Sequence, residues 1–422
     1  MAEGLRVPAM KLLHAADLHI DSPLQGLERY PDAPAASIRA ATRQATENLV
    51  ALALSEGVDS VLLAGDIYDG EWRGFDTGIF FQRQMHRLHD ADIPVYLVSG
   101  NHDAASQISR TLSLPPNVRV FDIHGPETIL DDELGLAVHG QGYVRRDVTE
   151  NLAVHYPPAR AGYFNVGLLH TALNGREGHD RYAPCTVDQL AAHDYGYWAL
   201  GHVHAREEVS REPFIVFPGN IQGRHAKERG PKGCALITVE SESVSVEHRA
   251  LDVVRWEQVL VDVSKATGVD DACESVRNAL AGARSSADGR LLAARVRLTG
   301  RSSAHLRLWG DRERLTHEIR TLGYDVGDVW VEKVRVETQP ESSGGPGRNI
   351  GTELAESVVR TAKQLGENGD LLRDLIKKDP LWGRLPSQVR DDRGQFPDDD
   401  QWCADLLGEA SELLAAMMEE RD

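Results

Sequence analysis

Five short stretches of this sequence close an apolar run with side chains that bind cations or move protons. "HAADLH" supplies Asp17 and His19, "AGDIYD" supplies Asp66 and Asp69, and "SGNHD" supplies Asn101, His102 and Asp103. "GLLH" adds His170, and "GHVH" adds His202 and His204. The set mixes carboxylate, imidazole and amide with no thiolate, which suits hard-to-borderline divalent ions such as Mn²⁺, Fe²⁺ or Zn²⁺. It holds more donors than one ion needs. Two ions about 3.5–4 Å apart would use it, with one carboxylate bridging. Residues i and i+2 of an extended chain share a face, so Asp17 with His19, and His202 with His204, are each expected to reach one ion. Each stretch alone has an ordinary explanation as a turn or a helix cap. Chance does not readily assemble all five between residues 17 and 204, each at the end of an apolar run.

Such a set works only if strands bring their ends together. Apolar runs recur at 11–17, 60–66, 94–103, 163–170, 195–204 and 214–220, and helical patterns at 34–56 and 75–91 separate the first three. The alternation predicts a layered α/β domain with a buried sheet, and in such sheets ligands bind beyond the carboxyl ends of the strands. Residues 10–249 are assigned to this domain. Residues 250–338 follow with a β-α-β-α-β pattern, a small α+β unit. "QPESSGGPGRN" (339–349) has linker composition. Amphipathic helical stretches at 350–378 and 398–419 complete the chain; the second carries Trp402, Leu406, Leu413 and Met417 along one stripe.

The chain has 422 residues, of which 41% are hydrophobic, enough for two or three ordinary cores. Its net charge of −19 weighs against a nonspecific nucleic-acid binder but not against a phosphate-bearing substrate, because bound cations would reverse the local charge. The four cysteines are scattered without a C-x-x-C pair, which argues against a zinc ribbon and a disulfide framework. No apolar run approaches the ~18 residues of a membrane span, and the N-terminus lacks a signal-peptide pattern. A cytoplasmic location without membrane attachment is expected.

D-x-H, G-D-x-x-D, G-N-H-D, an isolated His and G-H-x-H, in this order, resemble the calcineurin-like metallophosphoesterase superfamily. The resemblance implies a four-layer α/β/β/α core with a bimetal centre. Carried over by residue, Asp17, His19, Asp66 and His204 would hold one metal, and Asp66, Asn101, His170 and His202 the other. "HAADLHIDSPLQGL", "GHVHARE" and "FPGNIQGRHAKERGPKG" look like the bacterial DNA-repair exonuclease branch of SbcD/YhaO type. That branch implies a capping domain at 250–338 and a C-terminal segment, 350–422, that docks on an SMC-like coiled-coil ATPase. It also implies a homodimer formed through the helix at 75–91, where Ile79, Phe80, Phe81, Met85 and Leu88 lie; packing on the sheet is the competing use.

On this reading the chain is a DNA exonuclease or endonuclease with two divalent ions, Mn²⁺ foremost and Fe²⁺, Zn²⁺ or Mg²⁺ as alternatives, acting at DNA ends in double-strand-break repair. The alternatives are another metallophosphoesterase (a protein phosphatase, nucleotidase or cyclic-nucleotide phosphodiesterase) or a scaffold with a vestigial metal site. His102 is expected to protonate the leaving oxygen and Asp103 to orient its ring. Asp69 is expected to touch substrate or cap the following helix. Arg224, His225 and Lys227, with Lys232, form a Gly-punctuated basic loop that is a candidate for holding phosphates.

Overall fold

The computed structural model describes residues 8–22, 33–69, 75–105, 113–175, 181–240, 243–341, 350–366 and 369–379. Beyond these it describes Cys403, Ala404, Leu406, Leu407, Gly408, Ala410, Ser411 and Leu414. The chain divides into two compact units, Met1–Glu257 with Ala287–Ala293, and Gln258–Ser286 with Ala294–Asp422.

The first unit is built on two six-stranded sheets. Its strands are β1 (Met10–Ala15), β2 (Ser60–Ala64), β3 (Val95–Val98), β4 (Val118–Val120), β5 (Glu127–Asp131) and β6 (Leu136–Gly140), then β7 (Phe164–His170), β8 (Tyr197–Gly201), β9 (Glu207–Arg211), β10 (Phe214–Phe217), β11 (Gly233–Glu240) and β12 (Ser243–Ala250). The helices are α1 (Ala35–Glu56), α2 (Asp76–His89), α3 (Asn101–Ala105) and α4 (Val187–Ala191). One sheet runs β12-β11-β1-β2-β3-β4, and the other β5-β6-β7-β8-β10-β9. β1 to β4 pair parallel, as do β6, β7, β8 and β10, while antiparallel strands lie at the flanks.

Side-chain alternation along the strands makes the layers. Leu12 of β1, Leu62 and Ala64 of β2 and Val98 of β3 face the second sheet, where Val138, Val166, Leu168 and Ala199 meet them. Their neighbours Leu13, Ala15, Val61, Leu63 and Leu97 face α1 and α2 instead. On the outer side of the second sheet, Leu169, Trp198, Leu200 and Phe217 pack on Leu190 of α4 and on Tyr156. The expected four-layer α/β/β/α order is present.

The buried stripe of α1, Ile38, Ala41, Thr42, Ala45, Thr46, Leu49, Val50 and Ala53, has the three-and-four spacing of a helix lying on a sheet. Gly57 ends it in the left-handed conformation, with its N–H directed at the Leu54 and Ala53 carbonyls. In α2, Phe81, Met85 and Leu88 are spent on the core, and Ile79 is exposed. Three of the five apolar residues considered for a dimer face are therefore buried against the sheet.

The second unit runs β13 (Val254–Asp262), α5 (Val269–Ser286), β14 (Leu291–Ser302), α6 (His305–Gly310), α7 (Arg312–Val326) and β15 (Val329–Pro340), with sheet order β13-β14-β15. Val276 and Leu280 of α5 and Leu315 and Ile319 of α7 are buried. The stretch expected as one helix at 350–378 is two, α8 (Ile350–Gly366) and α9 (Gly369–Lys378). Val358, Ala362 and Leu365 of α8 line a shallow groove with Leu407, Ala410 and Leu414. Most of the linker, and Trp402, Leu413 and Met417 of the last stretch, lie outside the described residues. No helix among the described residues is long and apolar enough to cross a membrane.

Candidate metal centre

The ends of β1, β2, β3, β7 and β8 converge. β1 and β2 leave their sheet side by side: Asp17 N–H donates to the Gly65 carbonyl at 3.0 Å, and His19 N–H to the Asp66 carbonyl at 3.1 Å. Asp17, His19 and Asp66 have φ of 52°, 43° and 52°, and His202 has φ of 99°. These are left-handed values that non-glycine residues rarely adopt and that concentrate at functional sites. Asp17 and His19 therefore meet because the chain turns sharply past Ala15. The shared face of an extended strand, expected from their spacing, is not what joins them.

The exits are tied to one another through carboxylates. His202 N–H donates to Asp17 Oδ2 at 3.0 Å, and His102 N–H to Asp66 Oδ1 at 2.9 Å. Gly100 is required here, since a Cβ on it would collide with the Asp66 carboxylate and backbone nitrogen.

Hydrogen bonds around the imidazoles fix which nitrogen carries the proton. His170 Nδ1 lies 2.8 Å from the Ala64 carbonyl oxygen, which can only accept, so Nδ1 is protonated and Nε2 presents a lone pair. That lone pair faces Asn101 Oδ1 at 2.9 Å and Asp66 Oδ2 at 3.5 Å. His204 Nδ1 lies 2.7 Å from Glu228 Oε1, which leaves its Nε2 as a lone pair 3.7 Å from Asp17 Oδ1 and 3.2 Å from His19 Nε2. His19 Nδ1 approaches Asp69 Oδ1 only to 3.5 Å, without good hydrogen-bond geometry, and its Nε2 lies 3.9 Å from Asp66 Oδ2. The His202 ring stands 5.2 Å from that of His170, centre to centre.

Acceptors thus face acceptors across the cluster, and this repels unless positive charge lies between them. The titration behaviour agrees. Burial, then the Asp66 charge, pushes the Asp17 carboxyl well up, and burial pushes Asp66 up. Burial, then Arg224, holds His19 well down, so it stays a neutral ligand. The donors fit divalent cations, with Asp66 Oδ2 between His19 and His170 in the position of a bridging carboxylate.

Around this cluster the structure corrects two expectations and gives the partners of a third residue. The carboxylate against His102 Nδ1, at 3.0 Å, belongs to Asp69. Asp103, expected in that place, accepts from the N–H groups of Ile67, Tyr68 and Gly100 and so staples the β2 and β3 exits together. Asp69 therefore does not cap the following helix, whose N-cap is Phe75. It also accepts from Ser22 Oγ, and these bonds outweigh burial and hold its carboxyl well below the ordinary range. Arg224, expected to hold phosphate, is committed to Glu228 at 2.8 Å and to Asp69 at 3.5 Å. His225 and Lys227 are exposed at the mouth of a cavity of about 950 Å³ that opens onto Asp66, Asn101, His102, His202 and His204.

Glu228 escaped the sequence reading. It is buried in a loop read as basic, four residues after Arg224, and its spacing carries no signal of its own. Only the folded chain brings it to His204.

Residues 10–206 match the calcineurin-like phosphoesterase family, and residues 256–339 match the middle domain of the metallophosphoesterase YhaO. The chain is 38% identical over 261 residues to the uncharacterized metallophosphoesterase YhaO of Bacillus subtilis, covering 61% of this chain and 64% of that protein. It is 25% identical over 272 residues to the DNA double-strand break repair protein Mre11 of Haloferax volcanii, covering 63% and 58%. It spans less than two thirds of the length of both relatives. A dimetal phosphatase from Danio rerio aligns at 12% identity with a TM-score of 0.39, over 58% of this chain and 97% of that one. Over residues 10–206 this chain is therefore similar to the calcineurin-like phosphoesterases, and over residues 256–339 to the YhaO middle domain.

Proposed function

We propose that the chain hydrolyses phosphodiester bonds of DNA with two divalent cations at this centre, Mn²⁺ foremost. The observation that carries the reading is the convergence of acceptor atoms of His170, His204, Asp17, Asp66 and Asn101, which divalent cations would draw together. Asp17, His19, Asp66 and His204 would hold one ion, and Asp66, Asn101, His170 and His202 the other. When bound, such ions supply an activated water as nucleophile and offset charge on the phosphoryl oxygens.

The chain's own residues do the rest. Ala64 and Glu228 fix the tautomers of His170 and His204 so that Nε2 of each points inward. Asp69 holds His102 by Nδ1. Burial works against a charged His102, but the bond to Asp69 and the Asp66 charge outweigh it and raise its pKa. Both favour the protonated ring. It gives a proton to the leaving sugar oxygen, while Asp69 steadies the ring.

DNA is favoured over a phosphoprotein or a cyclic nucleotide by the similarity to Mre11 proteins, named for DNA double-strand break repair, and by the YhaO-type middle domain. Action at DNA ends with an SMC-like ATPase docked on 350–422 belongs to the same proposal, supported by exposed Leu371 and Leu375 on α9. Dimerisation through α2 is supported by exposed Phe75 and Ile79.

The test compares linear duplex DNA, single-stranded DNA, a chromogenic diester and a phosphopeptide, each with Mn²⁺, for wild type and His102→Ala. Wild type should cleave DNA and the diester. His102→Ala should keep Mn²⁺ binding and lose about 10²–10⁴-fold in turnover. Cleavage of the phosphopeptide alone would overturn the nuclease reading.

A further inference from the structure

The cavity over the metal centre is walled by cations that the fold leaves unpaired. Arg146, Arg206, Lys227, Arg229 and Lys232 all line it. Among the described residues, none of these five has a carboxylate at ion-pair distance. Arg224 on the same loop shows the contrast, since Glu228 and Asp69 neutralise it. Five cations without a direct ion-pair partner around one cavity are a concentration of positive charge that favours an anionic ligand. They occur in a chain whose net charge is −19, so the background does not explain them.

Three groups on this wall are neighbours. Lys232 is buried, and its Nζ donates to the His204 carbonyl at 2.6 Å, which ties it to the strand exit that carries the metal ligands. β11 begins directly after Lys232, and His248 of β12 stands opposite Ala235 of that strand. His248 Nε2 is buried and has no hydrogen-bond partner. Burial, then Arg206, with Arg255 and Lys232 adding to it, holds this ring down to about 4, so it is neutral near pH 7. Lys232 thus retains N–H donors beyond the one given to His204, and His248 retains an uncommitted nitrogen. A cavity of about 950 Å³ also exceeds what one phosphate ester fills.

We infer that Arg206, Arg229, Lys232 and His248 form a subsite for a phosphate adjacent to the scissile one, so that the ligand is a strand with several backbone phosphates and not a single phosphate ester. This rests on reading the adjoining centre as a phosphodiesterase. The subsite holds the strand, and the centre cuts it.

The experiment uses the full chain in EDTA and measures binding of fluorescein-labelled dT15 by anisotropy across a salt series, with dTMP and an acidic peptide of matched charge as competitors. Each phosphate contact to a single strand contributes about 0.7 to the slope of log K against log salt. The double variant Arg206→Gln/Arg229→Gln, which removes one phosphate contact, should lower that slope by about 0.7 and weaken dT15 binding about 10-fold at 100 mM salt. For wild type, dTMP, which offers a single phosphate, should compete only at concentrations at least about 10-fold above those of unlabelled dT15. Circular dichroism confirms that the variant is folded. An unchanged slope and affinity would overturn the subsite, and so would an acidic peptide that binds as tightly as dT15. Wild-type hydrolysis of bis(p-nitrophenyl) phosphate with Mn²⁺ judges the phosphodiesterase reading separately, because the binding arm requires no turnover.

Discussion

Replacing Glu228 with Gln changes one atom and should disable a metal ligand that the substituted residue never touches. The Glu228 carboxylate accepts five bonds. Oε1 takes His204 Nδ1 at 2.7 Å and Arg224 Nη2 at 2.8 Å. Oε2 takes Asn220 Nδ2 at 2.9 Å, Arg224 backbone N–H at 2.8 Å and Arg224 Nε at 3.3 Å. Gln has one accepting oxygen, and its amide nitrogen must face one set of donors. The Oε2 set includes a backbone N–H that cannot turn away, and an Asn220 amide already anchored to the Gln222 carbonyl at 2.7 Å. The amide nitrogen therefore goes to the Oε1 side. There His204 can yield by moving its proton from Nδ1 to Nε2, so that Nδ1 accepts from Gln. The new Nε2–H then points into the cluster, 3.2 Å from His19 Nε2, and the lone pair that would hold a cation is gone. Loss of such a supporting group costs about 10–100-fold in metal affinity, or about 1.4–2.8 kcal/mol. Isothermal titration of Mn²⁺ into wild type and Glu228→Gln reads this directly, with circular dichroism confirming the fold. A folded variant that binds Mn²⁺ within twofold of wild type would refute the tautomer argument.

Three further outcomes follow from the same geometry. Asp69→Asn should cut diester turnover by about 10²-fold or more while Mn²⁺ binding survives, because His102 loses the partner that keeps it protonated; full turnover in steady-state assays would return the orienting role to Asp103. In Gly201→Ala the new Cβ would meet the Ala64 carbonyl that holds His170 and come within 2.9 Å of His170 Nδ1. The cost should be about 2–3 kcal/mol, and a fall in Tm of about 5–10 °C in differential scanning fluorimetry checks it. His14 is buried between Tyr197 Oη and the Leu200 carbonyl, and burial lowers its pKa to about 3. The unfolded chain binds this proton below about pH 6.5 and the folded one does not, so stability falls as pH drops through that window, by about 2 kcal/mol at pH 5. Urea unfolding at pH 7 and pH 5 should show that loss reduced in His14→Asn.

How much of this was legible in the sequence depends on whether a property is local or tertiary. Strand ends and ligand types are local. An apolar run has to stop where its last residue leaves the sheet, and the residue after it is already chosen for the site, so Asp17, Asp66, Asn101, His170 and His202 could be read one motif at a time. The backbone that aims them was not legible, because left-handed φ at Asp17, His19, Asp66 and His202 is imposed by neighbouring exits bonding to one another. Partnerships across the chain were hidden for the same reason. Asp103 is adjacent to His102 in sequence, yet successive residues at the start of a helix point about 100° apart, and its carboxylate turns back to the Gly100, Ile67 and Tyr68 amides. Asp69, 33 positions earlier, arrives on the exit of β2 at the distance a hydrogen bond needs. Charge was misleading in the same way. Arg224 and Lys232 look alike in a basic loop, but Glu228 and Asp69 pair with the first, while among the described residues the second has no carboxylate at ion-pair distance. Whether a cation can meet a phosphate is decided by what the fold has already placed beside it, and composition cannot supply that.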